Sequence, residues 1–389
     1  MEARRLRHAA ALSTGKLSAG KLSGKLLSGA LLSGALMLLA AACGTGQPAA
    51  AWEPLPAIAS GTPYGLGVSA LYAAEVDGVL LAAGGANFPD LPAAEGGAKR
   101  CYDEVWMLRP GADAWHAAGR LPSPSAYGAA YALGDRLIIA GGSDGRATSA
   151  AVLALRVAGD SVTIASLPDL PLPLEQAAAA REGTTLYLAG GLSDGVPSRG
   201  VYACDAGEDA PAWRLVAELP EPLVQPVATA HRGRLYVWGG YDPATREARA
   251  GGYRYDPADG TWQPIGGLPD GGTLTGAAAL HLPAGRLLAA GGVDRALFTE
   301  ALRLGPDQRA DYLRQPVAYY RFRPALWLFD PAAERWQLLA ESPAAARAGA
   351  ALAAARGGVC LLGGELKPGI RTPENLLRTD LHDISAATD

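Results

Sequence analysis

The chain has 389 residues, 49% of them apolar and 19% charged, with 50 glycines, 29 prolines and a formal net charge of -4 at pH 7. That composition excludes a disordered chain, and so small a charge with no recurring basic face excludes nucleic acid as a partner. Glycine and proline spread along the whole length favour many short strands joined by turns over long helices.

Residues 1–43 stand apart from the rest. Arg4, Arg5, Arg7, Lys16, Lys21 and Lys25 precede the uncharged run 26–42, which ends at Cys43-Gly44. The order basic, apolar, small predicts a secretory signal rather than a spanning helix. A cysteine directly after Leu-Leu-Ala-Ala-Ala resembles the bacterial lipoprotein cleavage site. That resemblance makes Cys43 the lipidated N-terminus and a point of membrane anchoring; cleavage after the small-residue triplet without acylation is the alternative. The expectation is an exported protein, in the periplasm or at the cell envelope, with 44–50 as a linker and 51–389 as one domain. Cys101, Cys204 and Cys360 are too few and too scattered for a disulfide framework or a metal site, and read as small buried hydrophobes.

From residue 52 the chain repeats itself. An apolar run ending in Gly-Gly occurs six times, closing at Gly85, Gly142, Gly191, Gly240, Gly292 and Gly364. Trp115, Trp213, Trp262 and Trp336 follow four of these pairs, and in the second unit Ser161 stands where the tryptophan would. Each unit reads as four short strands: an apolar inner one, the one ending in Gly-Gly, a third with large apolar residues, and a fourth at the tryptophan. The two marks resemble the kelch repeat, and six copies predict an all-β, six-bladed β-propeller. The sixth Gly-Gly is followed by one more strand at 375–381 and no tryptophan strand, while Trp52 precedes the first inner strand. Residues 51–58 are therefore expected to supply the outer strand of the sixth blade and close the ring.

In a four-stranded antiparallel blade, the loop after the second strand and the loop entering the first lie on the same side. These loops gather round one mouth of the channel. The positions after the six pairs are Ala86-Asn87, Ser143-Asp144, Leu192-Ser193, Tyr241-Asp242, Val293-Asp294 and Glu365; the entering loops add Tyr64, Tyr127, Glu175, Gln225, Thr275 and Arg347. Glu365 is the one acid immediately after a Gly-Gly, and Lys367 and Arg371 share its segment, GGELKPGIRT. Arg371 is placed either to lower the pKa of the acid or to hold an anionic ligand. Two insertions leave from the same mouth. The first, after Gly85, carries Asn87, Phe88, Asp90, Lys99 and Arg100; the second, between Gly292 and Trp336, is helix-like early on and ends in Tyr319-Tyr320-Arg321-Phe322-Arg323. Together they predict a lid over a small polar ligand, with Lys367, Asn87, Arg100, Tyr127, Gln225, Asp294 and Arg321 as candidate binding residues. A helix that only covers the channel is the plainer reading of the second insertion. His116, His231, His281 and His382 are too dispersed to converge on a metal, so none is expected, and neither a nucleophile elbow nor a phosphate-binding glycine loop occurs.

The segment from GGVDRALFTEAL through AYYRFRPALWLFD to LLGGELKPGIRT, and GGANFPD with the following YDEVWML, resemble the bacterial N-acetylneuraminate epimerase (sialic acid mutarotase) family in a circularly permuted branch. The resemblance implies a six-bladed propeller, export to the periplasm, and exchange of the α and β anomers of a free sialic acid without a cofactor. It puts the proposed catalytic glutamate on Glu365 and the essential arginine on Arg371, with Lys367 or a lid cation helping to hold the sugar carboxylate. The match lapses at PLVQ (222–225), where only Gln225 is kept, and at Ala344-Ala345-Ala346, where the family has an aromatic pair; both bear on which sugar is taken. Two other readings stand beside it. One is a mutarotase for another sugar acid; the other is a non-catalytic, envelope-tethered propeller that binds carbohydrate or protein through an apolar or aromatic mouth.

Overall fold

The computed structural model describes residues 52–381, so the expected signal segment 1–43 with Cys43, the expected linker 44–50 and His382 lie outside the described residues. Six four-stranded antiparallel sheets form the blades of a propeller, each ordered inner strand, Gly-Gly strand, third strand and outer strand. The inner strands, from blade 1 to blade 6, are Tyr72–Val76, Ala129–Leu133, Ala178–Glu182, Val224–His231, Ala278–His281 and Ala351–Ala355. Their alanine content follows from crowding at the axis. A channel of about 410 Å³ is walled by Ala73, Ala130, Ala179, Ala228, Ala279 and Ala353, one from each blade, where longer side chains would meet across the middle. At the end of the channel opposite the loops after the Gly-Gly pairs, the half-buried His281 has Nε2 2.9 Å from the carbonyl of Ala179 and 3.1 Å from that of Ala228, which fixes the ring proton on that nitrogen.

The Gly-Gly pair is the joint between blades as much as the end of a strand. Gly84 (φ 61°) and Gly363 (φ 56°) are left-handed, and a Cβ on them would lie 2.2 Å from the carbonyl oxygen of Ser125 and 2.3 Å from that of Val68, each in the next blade. The second glycine then bonds the same carbonyl: Gly85 N–H donates to Ser125 at 2.8 Å, and Gly364 N–H to Val68 at 2.8 Å. The tryptophans mark the outer strands as expected. Trp262 and Trp336 lie inside Thr261–Ile265 and Arg335–Glu341, whereas Trp115 and Trp213 stand one residue before His116–Arg120 and Arg214–Glu218. Cys101, Cys204 and Cys360 are free and buried.

The ring closes through the N-terminal segment. Glu53–Leu55 pairs with the strand Asn375–Arg378, in register Glu53 with Leu377 and Leu55 with Asn375, as the outermost strand of blade 6. The chain then crosses to blade 1, where the Pro56 carbonyl accepts from the Trp115 indole at 2.8 Å and Ile58 is buried against Tyr64, Leu71 and Leu377. This crossing joins the last blade to the first by covalent chain, apolar contact and a sheet edge at once. Ile58→Ala is expected to cost roughly 2–5 kcal/mol in chemical denaturation, because the cavity would open at that seam. The exposed Glu53→Ala, in the same strand, should stay within about 0.5 kcal/mol.

Candidate active site

GGELKPGIRT is a hairpin rather than a loop. Glu365–Lys367 pairs with Ile370–Arg371, with Glu365 opposite Arg371 and Lys367 opposite Ile370. Pro368 and Gly369 occupy the turn, and Gly369 has φ 87°, the proline-then-left-handed-glycine pattern of a type II turn. The acid and the arginine are therefore cross-strand partners. Arg371 Nη1 lies 2.7 Å from Glu365 Oε2, its Nε donates to the Ala86 carbonyl at 3.3 Å, and its guanidinium sits 5.1 Å from the centre of the Phe88 ring. The side chain of Arg371 is 5% exposed and that of Glu365 is 24% exposed. Two backbone bonds to Ala348, Glu365 N–H to its carbonyl at 2.8 Å and the return bond at 3.0 Å, hold the acid against the entry loop of its own blade.

Burial pushes the Glu365 carboxyl above the usual carboxylate range, opposed by the Arg371 charge, by the Gly369 N–H and by Lys99. The acid is thus shifted toward neutrality but not stranded there, since a buried cation keeps its ionised form accessible. A carboxyl in that balance is suited to exchanging a proton with a bound ligand.

A lid covers this side of the mouth. After Gly292 the chain forms helix α1 (Arg295–Arg303) and helix α2 (Pro306–Arg314), the second begun by Pro306 at its first position. Asp294 caps α1 by accepting from the Leu297 N–H at 2.9 Å and pairs with Arg321 at 3.1 Å. The far end of α2 is pinned by Lys367, whose Nζ donates to the carbonyls of Leu313 (3.1 Å) and Gln315 (2.7 Å). Beneath the helices lies a cavity of about 340 Å³, whose polar wall is Glu365, Gln225, Tyr241, Arg309, Tyr312 and Asp294. Burial, together with the nearby Tyr320 and Glu365, raises the Tyr312 phenol well above its ordinary value.

The floor of the mouth is a hoop of backbone. Ala70, Tyr127, Gln176, Gln225, Gly276 and Gly349, one per blade, all have φ between 56° and 67°. N–H donors link them from blade to blade: Tyr127 to Ala70 (3.1 Å), Gln176 to Tyr127 (2.7 Å), Gln225 to Gln176 (2.9 Å), Gly349 to Gly276 (2.9 Å) and Ala70 to Gly349. Tyr127 stands here with the ammonium of Lys99 4.8 Å above its ring, and Gln225 Nε2 donates to Gln176 Oε1 at 2.7 Å.

The structure brings Glu365, Arg371, Gln225 and Asp294 to one side of the mouth, with Tyr127 on the hoop. It gives several expected binding residues other work. Asn87 is buried, its amide donating to Pro63 (2.8 Å) and Gly67 (2.9 Å) and its oxygen accepting from the Tyr102 hydroxyl (2.7 Å), so it holds the first insertion rather than a ligand. Lys367 staples the lid, Arg321 pairs with Asp294, and Arg100 lies exposed over Tyr102 at 5.2 Å. Of the entering-loop residues, Tyr64 and Thr275 bond the carbonyls of Gly84 and Gly240, and Arg347, 1% exposed, bonds the carbonyls of Gly363 and Glu374. Arg309, Tyr312 and Gln176 were not anticipated. Arg309 and Tyr312 are three apart on one helix, a same-face spacing that was readable; the left-handed backbone at Gln176 leaves no sequence mark.

Closed ring, Gly-Gly joints and lidded mouth define a kelch-type six-bladed β-propeller with an acid–arginine pair at one end of its channel. The chain belongs to the N-acetylneuraminate epimerase family, whose model matches residues 167–384, more than half of it. Proteins named N-acetylneuraminate epimerase from Yersinia enterocolitica and Salmonella arizonae are 32% and 31% identical over 130 residues, in each case 31% of this chain and 33% of the relative. One from Pasteurella multocida is 30% identical over 137 residues, covering 33% of this chain and 36% of its own. The alignments thus span about a third of the length of these relatives. A solved structure titled "Structure of YjhT" is similar with a TM-score of 0.45 and 26% identity, over 53% of this chain and 62% of that one.

Arg371→Met is expected to move the titration of the Glu365 carboxyl to higher pH, because it removes the opposing cation and leaves the burial, and carbon NMR of the labelled carboxyl would follow it. A midpoint that stays or falls would contradict the electrostatic account.

Proposed function

We propose that the protein interconverts the α and β anomers of free N-acetylneuraminate by opening and reclosing the sugar ring. The observation that carries the reading is the half-buried Glu365, paired with the buried Arg371 side chain and lining a cavity of monosaccharide size, in a chain of this family. Anomer exchange takes a proton from the anomeric hydroxyl and delivers one to the ring oxygen. The bond between the anomeric carbon and the ring oxygen breaks, leaving an open-chain ketone that recloses on its other face. Only protons are transferred, so the chemistry needs a group that both takes and gives them, and Glu365, drawn by burial toward its neutral form and by Arg371 toward its ionised one, suits that task. Arg371 is committed to Glu365 and Phe88, so we assign the sugar carboxylate to Arg309 or Lys99, for which no ion pair occurs among the described residues. The apolar cavity wall of Leu297, Phe298 and Leu302 suits an N-acyl group.

The order of charge and hydropathy in residues 1–43 supports export, and we place the protein at the cell envelope with Cys43 acylated. Cys43→Ser is then expected to shift the protein from the membrane to the soluble fraction without loss of export, whereas unchanged fractionation would argue for plain cleavage.

The activity is tested by a proton NMR time course on sialidase-released α-N-acetylneuraminate. Wild type should speed conversion to the β anomer, and Glu365→Gln should lose about 100-fold or more of that acceleration. A wild-type rate equal to the protein-free rate would overturn the reading and leave a binding propeller or another sugar acid.

A further inference from the structure

Glu365 keeps one carboxylate oxygen against Arg371, so it has one oxygen to offer a reaction that changes the protonation of two sugar oxygens. We propose that Glu175 is the second proton-transferring group, facing Glu365 across the mouth. The inference rests on the anomer-exchange reading and names the partner that the reading lacks.

Glu175 lies in the entry loop of blade 3, three blades from Glu365 in blade 6, and in a ring of six that is the opposite side. Its backbone is fixed by a pair of bonds with Leu192 at 2.9 and 2.8 Å, the counterpart in blade 3 of the bonds that fix Glu365 to Ala348. The next residue, Gln176, belongs to the hoop. Its side-chain oxygen accepts from Gln225, which leaves its amide nitrogen for Glu175, and Gln225 lines the cavity of Glu365. The charge of Lys99 reaches both acids and favours the ionised form of each.

Glu175 is half-buried and has no arginine partner among the described residues, whereas Glu221, Glu334 and Glu374 each have one. Burial raises its pKa against the pull of Gln176 and Lys99, with Asp194 adding to the rise; Tyr241, Tyr72 and Cys101 are the other titratable groups that its charge reaches. Tyr312, which lines the cavity itself, is too weak an acid for the task.

With Glu365 ionised and Glu175 protonated, Glu365 takes the proton of the anomeric hydroxyl. The electron pair of that O–H bond becomes the second bond of the ketone. The bond from the anomeric carbon to the ring oxygen breaks, its pair stays on the ring oxygen, and that oxygen takes the proton of Glu175. Reclosure on the other face reverses each transfer, so the pair of acids holds one proton throughout and nothing is consumed.

The test compares pH–rate profiles of anomer exchange, by NMR, and sugar affinity for wild type and Glu175→Gln. The variant should lose about 100-fold or more in rate and one limb of the profile, with affinity within about threefold. A rate within about twofold of wild type and an unaltered profile, or a loss in affinity alone, overturns the proposal. Should circular dichroism find Glu175→Gln unfolded, Glu175→Asp decides: a carboxylate drawn back by one methylene should slow exchange by roughly tenfold or more at unchanged affinity, and an unchanged rate overturns the proposal. An inactive wild type sinks the anomer-exchange reading and this inference with it; an active wild type beside an unaffected Glu175→Gln sinks this inference alone.

Discussion

Backbone hydrogen bonds between left-handed residues, one from each blade, tie the loop ends of the inner strands into a hoop, and the rest of the mouth is hung on it. Ala70, Tyr127, Gln176 and Gln225 take this conformation without being glycine, at a cost of about 1–2 kcal/mol each. That strain persists because Ala70, Tyr127 and Gln176 are bonded to hoop neighbours on both sides and Gln225 to Gln176 on one, with the Gly-Gly joints beneath. The hoop also needs the ring to be closed: the bond from Ala70 to Gly349 joins blade 1 to blade 6, the seam that Glu53–Leu55 completes. Position follows from it directly. Glu175 immediately precedes a hoop residue, and Glu365 is bonded to Ala348, which immediately precedes another.

The electrostatics of Glu365 are a second balance set on that frame. A carboxylate taken from water shifts toward its neutral form, and a lone buried charge would be costly. Its hairpin supplies the compensation in register, since the turn at Pro368-Gly369 folds Arg371 back onto the acid. The same hairpin carries Lys367 to the carbonyls at the end of α2, so the strand that holds the acid also holds the lid over it. One seven-residue hairpin, Glu365 to Arg371, thereby couples the charge state of the site to its coverage.

The blades, their number and the closing strand were legible because repetition is visible without any structure: six Gly-Gly pairs, four spaced tryptophans and an unpaired strand at each end. The acid and its arginine were legible as a motif, but their pairing was not, although Pro-Gly between two short polar runs is a turn signal that would have folded them together. What the sequence left open is concentrated where a polar side chain serves the backbone. Asn87, Arg347 and Lys367 spend their donors on carbonyls, and no periodicity distinguishes that use from ligand binding. The hoop escaped notice for a related reason: alanine, tyrosine and glutamine carry no preference for the left-handed region, so only tertiary bonding reveals it.

The central claim is that a sugar acid is held with its anomeric centre at Glu365, under the lid and above the hoop. The most direct measurement is a crystal structure of Glu365→Gln soaked with N-acetylneuraminate. The account predicts the anomeric oxygens within about 3 Å of the side chain of residue 365, with the sugar carboxylate turned toward Arg309 or Lys99. A sugar bound instead at the opposite end of the channel, against Arg181 and His281, or outside the mouth altogether, would contradict it.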